Sequence, residues 1–352
     1  MTQTGDIFFT PPGEADMPVI PEWLYRGANA FAVHSLFHTM NVLNQMRHRD
    51  SERYLQVEVM RDVDYGTGQR LDIWRPVVEH DRALPVMLFV HGGGFRTMSK
   101  RTHWFFARTF ARMGFVVCSV DYRMGRAHRF PEPLEDVATA FEWVCDHIES
   151  HGGDLSRLVF AGESAGANLI LALTALCTRE PDASQGYPEW ARRVYEREVV
   201  PTAILPMCGV LQVSDPERHR RRGVSALVMG PLVDAHTSYL GDDEALVSGG
   251  FRELADPLCV FENHLGEGNW RTLPEMMLNV GGLDPLVDDS ERLARVWPKS
   301  KVKMKTYKWS GHSFMAFMWM SNAQHCWSDM ADFLRDSHVL EDHYSERKLL
   351  AS

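Results

Sequence analysis

The sequence predicts an α/β fold, an open and mostly parallel sheet with helices on both faces. Four short, continuous apolar runs are the first observation: VMLFV (86–90), FVVCSV (115–120), RLVFA (157–161) and TAILPM (202–207). Such runs suit strands buried on both faces. The second is the helical spacing between them, clearest at 134–148, where Leu134, Val137, Phe141, Val144 and Ile148 step by three or four. The third is the alternation itself, since strand–helix–strand repetition builds a parallel sheet.

The elements follow in chain order. Residues 21–49 carry Trp23, Phe31, Leu36, Met40 and Leu43 at helical spacing and are read as a helical arm. YLQVEVM (54–60) and RLDIWRP (70–76) alternate with period two around Tyr65-Gly66-Thr67-Gly68, which predicts an antiparallel hairpin. After the four apolar strands, residues 209–255 break the rhythm. This segment is polar and rich in Gly, Pro and Arg, and is read as an insertion over the sheet, with Arg218–Arg222 as a solvated loop. LPEMMLNV (273–280) and VKMKTYKW (302–309) add two strands, and 322–336 a closing helix. Residues 341–352 read as a mobile tail.

Composition narrows the function classes. The 352 residues are 45% hydrophobic and 24% charged, an ordinary globular balance. With 37 Lys and Arg against 47 Asp and Glu, the net charge of −10 disfavours a nucleic-acid partner. No stretch approaches the ~18 apolar residues of a membrane span. The first 18 residues contain no Lys or Arg, which argues against a signal peptide. Six cysteines are scattered without a C-x-x-C pair, so reduced thiols and a cytoplasmic location are expected.

The chemistry is read from three strand ends. Strand RLVFA runs into Gly162-Glu163-Ser164-Ala165-Gly166 and then into the apolar helix ANLILALTAL. A G-x-S-x-G arises by chance in about one chain in ten of this length, so its context decides. The glycines permit a sharp strand-to-helix turn that lifts Ser164 above the sheet edge, facing the positive end of the new helix. Directly after strand VMLFV comes His91-Gly92-Gly93-Gly94-Phe95. Side-chain-free amides there can meet the charge of a tetrahedral oxyanion. Gly92, Gly93 and Gly94 are therefore candidate donors together with the Ala165 amide, and the sequence leaves open which glycine amides face inward.

A serine hydroxyl needs a base, and the base an orienting carboxylate. Asp284 follows strand LPEMMLNV and His312 follows strand VKMKTYKW, in the order Ser–Asp–His that accompanies this turn. Ser164 is assigned as nucleophile, His312 as base then acid, and Asp284 as the group fixing the imidazole tautomer. Asp288, one turn on, and Asp256, in a similar Asp-Pro-Leu setting, are the rivals. A histidine of ordinary pKa predicts activity rising with pH through a midpoint of about 6–7. His34 and His38 sit at i, i+4 but lack metal-site companions, so no metal site is expected. Phe314, Met315, Phe317, Met318, Trp319 and Met320 are read mainly as core packing.

Taken together, His91–Gly94, Asp121-Tyr122-Arg123, His128–Asp136, Gly162–Gly166, Asp284-Pro285-Leu286 and His312 resemble the hormone-sensitive-lipase-like branch of the α/β-hydrolases, the bacterial family IV carboxylesterases. The resemblance spans roughly residues 85–335. It implies an α/β-hydrolase fold and a serine carboxylesterase acting on small-molecule esters of short-to-medium acyl chains, without a cofactor. It also implies a helical cap. The organisation it suggests is a cap arm at 1–50, a catalytic core at 51–208 and 256–340, and a cap insertion at 209–255, with homodimerisation left open. An amidase or arylformamidase using the same triad is the alternative, and a non-catalytic small-molecule receptor a more distant one. Two departures stand out: Glu163 where the family commonly has Asp, and Met124-Gly125-Arg126-Ala127 in place of Leu-Ala-Pro-Glu.

Overall fold

The structure, a computed structural model, describes residues 56–66, 68–77, 83–241 and 250–341. The arm at 21–49, His34 and His38, and residues 342–352 lie outside them.

Eight strands form one sheet: β1 (Val57–Asp64), β2 (Arg70–Pro76), β3 (Leu84–Val90), β4 (Val116–Val120), β5 (Gly153–Glu163), β6 (Ala203–Met207), β7 (Glu275–Gly281) and β8 (Val302–Tyr307). Their order is β1-β2-β4-β3-β5-β6-β7-β8. β2 is antiparallel to β1 and β4, and every pair from β4 to β8 is parallel. Each expected strand is present. β1 continues past its expected end at residue 60 through an irregularity between Met60 and Val63. It is an edge strand, where bulges and charged residues are tolerated, and the Asp62 amide donates to Asp72 Oδ1 at 2.9 Å. The opposite edge, β8, exposes Lys303 and Lys305, which pair with Asp336 and Asp329 at 2.7 and 2.6 Å.

Period-two alternation divides the strand side chains between two cores. Val86, Leu88 and Val90 of β3, with Leu158 and Phe160 of β5, face one layer. Met87, Phe89, Val159 and Ala161 face the other. Helices α2 (Glu132–His147) and α3 (Ala165–Thr178) cover the first face. Helices α1 (Trp104–Arg112) and α9 (Ser321–Asp336) cover the second. α3 is buried on every side, which explains why its sequence is apolar all round. Phe314 and Met315 pack in the second core, with Phe317, Met318 and Trp319 partly buried against it, as the core reading anticipated, while Met320 is exposed.

The remaining helices are α4 (Glu189–Glu196), α5 (Glu217–Arg221), α6 (Ala226–Tyr239), α7 (Pro257–His264) and α8 (Val287–Val296). Here one expectation fails. Arg218–Arg221 belong to a short helix, and Arg218 and His219 are buried. Arg218 pairs with the wholly buried Asp289 through contacts of 2.7 and 2.8 Å, and Arg222 pairs with Asp288 at 2.7 Å. Arg218 enters the interior because Asp289 on α8 neutralises it there, a pairing invisible in the local sequence, while Arg220, Arg221 and Arg222 stay exposed as expected. The insertion is thereby tied to the core.

Candidate active site

All three candidate side chains emerge at the C-terminal edge of the sheet. Ser164 closes the turn between β5 and α3 with φ 53° and ψ −112°. Non-glycine residues avoid this region, at a cost of about 1–3 kcal/mol. The strain is held by the Ser164 amide donating to Met207 O at 2.9 Å and the Val210 amide donating to Ser164 O at 3.3 Å. The flanking glycines are required by contact. A Cβ on Gly166 would lie 2.0 Å from Val90 O, and one on Gly162 would lie 2.4 Å from Gly166 O.

His312 follows β8 and bridges the other two groups. Its Nε2 lies 3.0 Å from Ser164 Oγ and its Nδ1 2.9 Å from Asp284 Oδ2. Asp284 is 2% exposed and also accepts the Leu286 amide at 2.9 Å. The rival acids point elsewhere. Asp288 meets Arg222, while Asp256 accepts the amides of Val213 and Ser214 and the Ser214 hydroxyl.

The glycine loop completes the surroundings. Gly93, at φ +115°, would place a Cβ 2.0 Å from Thr97 O, so only glycine fits this turn. Gly93 and Gly94 line a cavity of about 450 Å³ with Ser164 and His312. Gly92 instead packs against Glu163, where a Cβ would sit 1.9 Å from Oε2. Ala165 is buried and begins α3 beside the serine. The loop is braced from behind, the Tyr122 hydroxyl donating to His91 O at 3.0 Å while its ring stacks on His91. Burial and the nearby His103 bring the His91 pKa down to about 3, so the imidazole is neutral.

One wall of the cavity comes from the insertion. Val228, Pro231, Leu232 and Ala235 of α6 line it, at the i, i+3, i+4, i+7 spacing of a single helix face. α6 is fastened to the glycine loop by Tyr239 stacked on Phe95, centroids 3.8 Å apart, and by Arg96–Asp234 at 3.3 Å. Val210, Leu283, Pro285 and Leu286 form the opposite side.

The sequence profile of a family described as alpha/beta hydrolase fold matches residues 87–316. The chain belongs to that family. The chain is 34% identical over 154 residues to Esterase LipC of Mycobacterium tuberculosis, covering 43% of its own length and 36% of the relative's. It is 38% identical over 104 residues to Carboxylesterase NlhH of the same species, covering 29% and 32% of the two chains. It thus spans about a third of the length of these curated relatives. Among solved structures, it resembles an esterase of Pyrobaculum calidifontis with a TM-score of 0.67 and 23% identity, over 88% of this chain and 94% of that one. That likeness is one of fold. The branch read from the motifs agrees with these matches.

The sequence reading noted Glu163 only as a departure from the family pattern. In the structure it is buried beneath Ser164 and His312, 3.8 Å from His312 Nε2, 3.5 Å from His103 Nε2 and hydrogen-bonded by Ser313 Oγ. Burial alone would raise its pKa, but the hydrogen bond from His103 and the charges of His312 and His103 outweigh it, bringing it down to about 2. Glu163 is therefore an anion at neutral pH, and it acts back on the histidine. Burial lowers the His312 pKa, but the charge and hydrogen bond of Asp284, with the charge of Glu163, hold it up to about 9. The expected midpoint of about 6–7 is accordingly moved upward. Glu163, Cys208 and His312 also bring ligand-type atoms within 4.8 Å of one another. Burial raises the Cys208 thiol well above its ordinary range, so it stays protonated and is a poor metal ligand.

Proposed function

We propose that this hydrolase is a serine carboxylesterase acting on esters of short-to-medium acyl chains. The observation that carries the reading is the hydrogen-bonded run Asp284–His312–Ser164 opening into an apolar-walled cavity. His312 takes the Ser164 proton as Oγ attacks the ester carbonyl, and Asp284 holds Nδ1–H so that Nε2 is the free base. The resulting oxyanion is met by the amides of Gly93, Gly94 and Ala165. The imidazolium returns the proton to the departing alcohol, leaving an acyl-enzyme on Ser164. Water, activated by the same imidazole, then releases the acid.

Within this reading α6, together with the arm at 1–50, caps the cavity and sets the acyl length, since enclosing an acyl CH₂ gains about 0.8 kcal/mol. Among the described residues no helix is long and apolar enough to cross a membrane. Ser164→Ala tests the mechanism. It should lower kcat for p-nitrophenyl butyrate by on the order of 10⁶ and abolish labelling by a fluorophosphonate probe, with the circular dichroism unchanged. Turnover within tenfold of the parent enzyme would sink the proposal.

A further inference from the structure

Arg96 stands out in the cavity. It is a full cation on a wall otherwise built mainly from glycine, Val210, Val228, Pro231, Leu232, Ala235 and Leu286. Its side chain is 33% exposed, while that of its ion-pair partner among the described residues, Asp234, is 8% exposed. The contact is a single Nη1–Oδ2 approach of 3.3 Å. A guanidinium offers five N–H donors in a planar fork, so this one approach leaves donors for a molecule entering the cavity.

The surrounding charges select what that molecule presents. Asp234 already balances Arg96, and the carboxylates of Glu163 and Asp284 lie beside His312. A substrate carboxylate would be drawn by two cations, Arg96 and His312, both already matched, and repelled by three anions. A neutral carbonyl oxygen suffers no such repulsion and still accepts a charge-assisted hydrogen bond.

Resting on the esterase reading, we propose that Arg96 is a specificity determinant and that the substrate is a neutral ester bearing a second carbonyl oxygen away from the scissile bond. Asp234 orients the guanidinium, and the apolar walls take the rest of the chain. A substrate lacking the second oxygen leaves Arg96 facing hydrocarbon, which disfavours it.

The test compares matched esters in the parent enzyme and in Arg96→Met. One pair varies the acyl side, p-nitrophenyl pentanoate against p-nitrophenyl 4-oxopentanoate. The other varies the alcohol side, butyl butyrate against 3-oxobutyl butyrate. The readout is the oxo-to-plain ratio of kcat/KM, which cancels any general loss of activity. In one pair the parent ratio should exceed that of Arg96→Met about tenfold, the low end for a hydrogen bond to a charged group because Arg96 is partly hydrated. p-Nitrophenyl hemisuccinate, with a carboxylate at the same place, should show no such gain. Asp234→Asn, which keeps the shape while freeing the guanidinium, should preserve the oxo preference and improve the hemisuccinate. Equal ratios in parent and variant for both pairs would overturn the proposal and leave Arg96 as a fastener of α6. A preference for hemisuccinate over the oxo ester would overturn it as well. If no ester is hydrolysed and Ser164 resists the phosphonate probe, the esterase reading itself has failed, a distinct outcome.

Discussion

Glu163 shows how one buried side chain sets the working range of another. Its carboxylate lies 3.8 Å from His312 Nε2, on the side away from Asp284 Oδ2 at Nδ1. Both anions favour the imidazolium, so the His312 pKa is raised to about 9. Only the neutral imidazole can take the serine proton. The sign follows: kcat/KM for an uncharged ester should rise with pH along a limb that extends above neutrality toward that value. Glu163→Gln removes one of the two charges while keeping the shape, and should move the limb to lower pH by about one unit. A pH–rate profile of parent and variant checks it. A limb that stays in place would mean that Asp284 alone sets the base. Melting curves recorded alongside guard against a folding effect, since Glu163 also holds Ser313.

At the scale of the element, α5 and α8 explain how a polar insertion is made rigid. Asp289 of α8 accepts the amides of Leu211 and Gln212 at 2.9 and 3.2 Å as well as both Arg218 contacts. One carboxylate therefore ties the start of the insertion to its first helix and to the core. Removing one partner of a buried pair leaves the other charge stranded, at a cost of about 3–5 kcal/mol. Arg218→Met should lower the unfolding free energy by about 3 kcal/mol, toward the lower end because the Leu211 and Gln212 amides remain. Arg222→Met, which breaks the more exposed pair with Asp288, should cost less than about 1 kcal/mol. Urea denaturation of both variants makes the comparison, and equal effects would contradict it. Arg292 contributes a neighbouring tie, reaching Glu262 on α7 at 2.6 Å and Gln212 at 2.6 Å.

Across the whole molecule, the order β1-β2-β4-β3-β5-β6-β7-β8 places the strands that carry the site on one side of β4. β3 leads into the glycine loop and β5 into Ser164, while β7 and β8 lead into Asp284 and His312 side by side. The antiparallel pair β1 and β2 closes the other flank, and Lys100, 2% exposed, joins it to the core through Asp62, Asp72 and Asp121. The proposed cap is tested at this scale. Deleting residues 1–49 should raise KM for hexanoyl and longer p-nitrophenyl esters far more than for the acetyl ester. An unchanged chain-length profile in folded, truncated enzyme would remove the arm from the cap.

The sequence by itself determined the strands, the elbow and the strand ends where the candidate side chains stand. Each depends on short-range rules: buried strands are continuous apolar runs, tight strand-to-helix turns demand glycine, and reactive groups follow strand ends. Tertiary structure decided what those rules cannot reach. The local pattern does not distinguish Asp284 from Asp256, yet only the loop after β7 brings a carboxylate to His312 Nδ1. Arg218 reads as a surface charge because the carboxylate that neutralises it lies on α8, 71 residues away. Glu163 and Arg96 are charged residues within two positions of a glycine in sequence, and they gain their meaning from His312 and Asp234 across the fold. Burying a charge costs several kcal/mol unless a partner meets it, and that partner is chosen by three-dimensional packing, which leaves no periodic mark on the chain.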